Sequence, residues 1–149
     1  MRVGLVASFS LLAVVLAGCV DSPDPTPTPT NAQSDAPVDQ APEIDLDGNA
    51  ADNKDYFDLV NTDLIAAAGA LDGRAFIDNL VAAGYPKADM EVTNDRTAIN
   101  GAADNIQFSI RLNGTCLIGQ YGNIGYDSTA AALLTTGKCL VGATRPIDW

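Results

Sequence analysis

The chain has 149 residues, with eight Lys and Arg against nineteen Asp and Glu, a formal net charge of −11 and no histidine. So large an acidic excess, with its few cations scattered along the sequence, argues against nucleic-acid binding through a basic patch. Without histidine, neither a Ser-His-Asp nor a Cys-His catalytic arrangement can be built, and three cysteines alone do not make a zinc site.

In chain order, the first informative stretch is Leu16-Ala17-Gly18-Cys19, behind an uncharged apolar run from Val3 to Leu16 and a single Arg2. A short positive start, a hydrophobic core and small residues at the cut are the layout of a secretory signal peptide. Leu three residues before Cys completes a lipobox, so residues 1–18 read as a lipoprotein signal peptide and Cys19 as the site of lipidation. The run is shorter than the roughly 20 apolar residues a spanning helix needs. Acyl chains such as palmitate contribute about 0.8 kcal/mol per buried CH2, so two or three hold a protein stably to a bilayer. The expected address is the extracytoplasmic face of a bacterial cell membrane, with the lipid on Cys19 as the membrane contact. Residues 19–43 hold six of the eight prolines among Thr, Ser and Asp. Such composition cannot offset its ordering entropy by burial, so a disordered tether is expected.

Residues 44–149 read as a single globular α+β domain. A first helix is expected from Ala50 to Ala67, with Phe57, Val60 and Leu64 on one stripe. A second runs from an Asp72 N-cap to Ala83, with Phe76, Ile77 and Leu80 inward, Gly84 as C-cap and Pro86 beyond. Met90 and Val92 mark a short strand, and Thr97 to Asn100 another. Ile106, Phe108, Ile110 and Leu112 alternate with polar residues and form the clearest strand. Asn113-Gly114 suits a type I′ turn, which sets Leu112 opposite Thr115, Arg111 opposite Cys116 and Ile110 opposite Leu117. Tyr126 to Leu134 reads as a short C-terminal helix, capped by Ser128 or Asp127 and ending near Gly137. With Cys19 acylated, Cys116 and Cys139 remain as an even pair in an exported chain and are expected to form a disulfide. Cys116 points away from the core face, so that bond would tie the tail over the second sheet face or an edge. Leu140, Val141, Ile147 and Trp149 are the apolar residues available to cover the sheet there.

The motifs are weaker. Asp45-Leu46-Asp47-Gly48-Asn49 invites a calcium reading, but Ala50 and Tyr56 stand where an EF-hand loop requires Gly and Glu. No metal site and no cofactor is expected. Asn113-Gly114-Thr115 fits a glycosylation pattern, which the hairpin explains better. Gly119, Gly122 and Gly125 make no phosphate loop, though they can floor a shallow pocket walled by Tyr121 and Tyr126. No catalytic constellation is present, so an enzyme is not expected. Trp149 is expected to dock onto the fold; the sharper alternative is a partner-binding tail using Arg145 and Trp149.

Four segments carry a resemblance: Gly73-Arg74-Ala75-Phe76-Ile77; Asp104-Asn105-Ile106-Gln107-Phe108-Ser109-Ile110-Arg111; Cys116-Leu117-Ile118-Gly119-Gln120; and Cys139 through Trp149. Together they resemble an uncharacterised C-terminal domain of actinobacterial lipoproteins. The resemblance implies an envelope-exposed setting and transfers no catalytic residue. The resulting expectation is a lipid-anchored interaction or binding module whose partner is an envelope protein or a small ligand. The alternative is a small-molecule or cell-wall-directed activity in the pocket near Tyr121 and Tyr126.

Overall fold

The computed structural model describes residues 40–149. The signal peptide, Cys19 and nearly all of the tether therefore lie outside the described residues. Two helices, α1 (Lys54–Ala67) and α2 (Gly73–Ala82), lie against a four-stranded antiparallel sheet. Its strands are β1 (Met90–Val92), β2 (Asn105–Leu112), β3 (Thr115–Gly122) and β4 (Gly125–Ala132), each beside the next in sequence. The α+β class and the pair of leading helices are as the periodicity predicts.

The acidic stretch before α1 is a hydrogen-bonded entry to that helix. Asp45 Oδ1 accepts from the Asp47 and Gly48 backbone N–H groups, and Asn49 Oδ1 accepts from Ala51. The fully buried Asn53 clamps the turn, accepting from the Asp45 N–H and donating to the Asp45 and Asn49 carbonyls. Polar side chains thus satisfy the backbone groups a helix start leaves open. At α2, the Asp72 carboxylate accepts from Ala75 N–H at 2.8 Å, and Gly84 takes a φ of 102° beyond the last turn.

The core lies between the helices and one face of the sheet. Phe76 stacks on Phe108 with ring centroids 4.3 Å apart, and Phe57 meets Phe108 at 5.8 Å. Val92, Ile110 and Leu117 fill the same layer and are fully buried. The rings sit directly on the sheet because β3 carries Gly119 beneath them. A Cβ at that position would lie 2.5 Å from the Phe108 ring and 3.2 Å from Phe57.

Asn113 and Gly114, with φ of 45° and 80°, join β2 to β3 and pair Leu112 with Thr115 and Arg111 with Cys116. Cys116 therefore faces away from the helices, and its disulfide to Cys139 brings the tail across that outer face. Cys139 and Leu140 are buried there, while Ile147 and Trp149 pack against the core; Val141 is 80 % exposed and covers nothing.

Two expected elements are corrected. Thr97–Asn100 is a turn rather than a strand. Asn100 N–H donates to the Thr97 carbonyl, and Ile99, the one large apolar residue available to anchor a strand, is exposed. Tyr126–Leu134 is not a C-terminal helix, because residues Gly125–Ala132 form β4. A two-residue turn at Asn123-Ile124 sets this segment beside β3, where it gains an unbroken ladder from Gly122↔Gly125 to Thr115↔Ala132. The helix propensity of three alanines, a few tenths of a kcal/mol each over ordinary residues, yields to that ladder.

Candidate functional site

β4 is held from above by one carboxylate. Asp58 on α1 accepts from the Tyr126 hydroxyl at 2.7 Å and from the Ser128 hydroxyl, both on the helix side of β4. Lys54 Nζ, one turn earlier, pairs with the other Asp58 oxygen at 2.6 Å. Burial works to raise the Asp58 pKa, but hydrogen bonds from Lys54, Ser128 and Tyr126 and the Lys54 charge outweigh it and hold the carboxyl below the usual range. Burial, together with donation to Asp58, pushes the Tyr126 phenol far above its ordinary value. The hydroxyl is therefore a fixed donor, not a base.

The outer face of the sheet divides in two. Over β1 and the near part of β2 it is covered by the tail, where the Glu91 carboxylate accepts the backbone N–H groups of Cys139 at 3.2 Å and Leu140 at 3.0 Å. Ser109, which pairs with Glu91 on this face, is fully buried. The remainder is open. Gln107, Ile118, Gln120, Asp127 and Thr129 line a shallow groove of about 200 Å³, and Asn105 donates to Gln120 beside it. Beyond the groove runs β4, the outermost strand on that side.

Tyr121 and Tyr126 are cross-strand partners. Tyr121 packs on Phe76 at 5.4 Å and lines a depression of about 260 Å³ with Leu71, Ile106 and Asn123. Tyr126 is turned to Asp58. The two rings are thus neighbours on the helix-covered face, and only Tyr121 borders open space of that depression.

Arg145 and Trp149 are brought together at the other edge. Thr144 bridges to Thr93, Arg145 N–H donates to the Val92 carbonyl, and its guanidinium pairs with Asp95 at 3.0 Å. The Trp149 ring lies 5.0–5.4 Å from the cationic groups of Arg74, Lys87 and Arg145. Its indole N–H donates to Asp78 at 2.8 Å, which is the main cause holding the Asp78 carboxyl below its ordinary pKa. Lys87 Nζ also donates to the Trp149 carbonyl. Beside this strap, Asn94–Ala98 and Arg145 line an open cleft of about 600 Å³. No group of acids or cysteines among the described residues is placed to hold a metal ion.

Residues 61–143 match the model of a domain of unknown function, DUF6993. The chain belongs to this family. The DUF6993 stretch takes in all four strands, α2 and both disulfide cysteines, and leaves Asp58, Arg145 and Trp149 outside it. No curated protein and no solved structure matches the chain.

Sequence reasoning missed Asp58 and the β4 edge. The available signal was the alternation Tyr126-x-Ser128, which sets two hydroxyls on one side of a strand and on no single face of a helix.

Proposed function

We propose that this DUF6993 chain is a lipoprotein of the extracytoplasmic face of an actinobacterial membrane, anchored through Cys19, and that its domain is an interaction module. The observation that carries the reading is the Cys116–Cys139 disulfide, with Cα atoms 5.5 Å apart. Such bonds persist in oxidising compartments, which is where a lipobox would deliver the chain. No helix among the described residues is long and apolar enough to cross a membrane; in this reading the lipid on Cys19 supplies the attachment. The binding surface is the open part of the outer sheet face, around Gln107, Gln120, Asp127 and Thr129. Arg145 and Trp149 act as a strap that holds the tail rather than as a free arm, since every polar group of the indole and the Arg145 Nη1 is engaged within the fold.

Metabolic labelling with radioactive palmitate tests the anchor. Label lost in Cys19→Ser supports it, and label retained in that variant defeats it. A photo-crosslinking residue at Gln120 in the full chain, with exposed Asp63 as control, tests the surface. A protein captured at Gln120 alone supports an interaction module. Recovery of only a glycan or metabolite at Gln120 would make the outer-face groove a ligand site rather than a protein-binding surface.

A further inference from the structure

The sheet has two edges, and the fold treats them differently. The β1 edge is three residues long and is covered, through the Thr93↔Thr144 bridge and the Arg145 N–H bond to Val92. The β4 edge is eight residues long and, among the described residues, has no strand beside it. In an antiparallel ladder, hydrogen-bonded and non-bonded pairs alternate, and the pair closing a two-residue turn is a bonded one. Counting from Gly122↔Gly125, the backbone groups of Tyr126, Ser128, Ala130 and Ala132 point outward. Apart from a 3.4 Å contact of Thr129 Oγ1 with the Ala130 carbonyl, no hydrogen bond among the described residues reaches them.

Sheet edges are ordinarily protected by Lys, Pro, a bulge or brevity. β4 has none of these, and its one charge is Asp127. We infer that β4 pairs antiparallel with β4 of a second copy of this chain, about a two-fold axis at Thr129. In that register each outward backbone group of the strand meets its complement in the other copy. Tyr126 lies opposite Ala132 and Ser128 opposite Ala130, a large-with-small and small-with-small fit. Asp127 lies opposite Ala131, so like charges stay apart, and Thr129 faces itself, a favoured cross-strand pair. Moving the axis to Asp127 would set two carboxylates against each other. Moving it to Ser128 leaves the Ala132 groups without a strand partner. The inference does not depend on lipid anchoring or on the outer-face groove.

The test uses the full chain in its expressing cells, whichever fraction carries it. Thr129 opposes itself in a non-bonded pair, where Cβ atoms are roughly 4.5–5.5 Å apart, close enough for a disulfide after small adjustment. Thr129→Cys, treated with a mild thiol oxidant, is expected to run at twice its mass on a non-reducing gel and to revert with reductant. Ala131→Cys and the parent chain are expected to stay at single mass. Adding Ala130→Pro to Thr129→Cys removes an outward N–H from each copy and no β3·β4 bond, so association weakens roughly tenfold to thirtyfold while the fold persists. A Thr129→Cys chain that stays monomeric would overturn the inference. So would equal crosslinking of Ala131→Cys, or a crosslink to a protein of another mass.

Discussion

Asp58→Ala removes the acceptor shared by Tyr126, Ser128 and Lys54. Hydrogen bonds to a charged acceptor contribute about 1.5–3 kcal/mol each, whereas an exposed i,i+4 ion pair contributes only about 0.3–0.5 kcal/mol. The half-buried hydroxyls regain part of their loss from water, so the expected cost is about 2–4 kcal/mol. In a domain of this size that lowers Tm by roughly 10–30 °C. Urea unfolding, followed by the fluorescence of the single tryptophan, reads the change directly. Tyr126→Phe alone and combined with Asp58→Ala completes a double-mutant cycle with a coupling of about 0.5–3 kcal/mol. A change below about 0.5 kcal/mol in Asp58→Ala, within the range of ordinary surface substitutions, would show that the β3 ladder alone holds β4 and would refute the reasoning.

The same carboxylate sets a pH dependence. Its folded pKa lies below the ordinary 3.8, so its contribution is complete at neutral pH and is lost as pH falls through the folded value. Below about pH 4 the parent chain should therefore lose stability more steeply than Asp58→Asn in acid titrations followed by circular dichroism. Gly119→Ala forces a methyl against the Phe108 ring and should cost about 1–3 kcal/mol in urea unfolding; no loss would mean the aromatic layer has room to shift. Replacing Cys116 and Cys139 together by Ala opens a loop of 23 residues and should cost about 3 kcal/mol. Intact mass should find no free thiol at either position in the parent. Glu91→Ala leaves two backbone N–H groups of the tail without an acceptor, and should speed hydrogen exchange at Cys139 and Leu140 without affecting α1.

The β2–β3 hairpin was legible because two local signals agree there. Period-two alternation from Ile106 to Leu112 names the inward face, and a two-residue Asn113-Gly114 turn leaves a single register, which also places Cys116 outward. Asp72 and Gly84 announce the limits of α2 in the same local way. β4 was not legible, because its ladder depends on the open side of β3 rather than on its own residues. Ala130, Ala131, Ala132 and Leu133 are good helix formers, and Asn123-Ile124 lacks the glycine that marks a hairpin. Asp58 was hidden for a related reason. It is one of several acids on α1, and nothing in its spacing tells which of them will lie over a strand sixty-eight residues later. The proximity of Tyr121 and Tyr126 follows from sequence distance, but the commitment of Tyr126 to Asp58 appears only once β4 is a strand.

The open edge and the closed one have a common origin in the route of the tail. After Ala132 the chain leaves β4, crosses the outer face to Cys116 on β3, and continues to Glu91 on β1. It then runs beside β1 through Thr144 and Arg145 and ends with Trp149 against α2. The disulfide fixes the middle of that path. A stretch so fixed covers the β1 edge and cannot fold back along β4. The bond that stabilises the domain therefore also decides which edge is left for another strand.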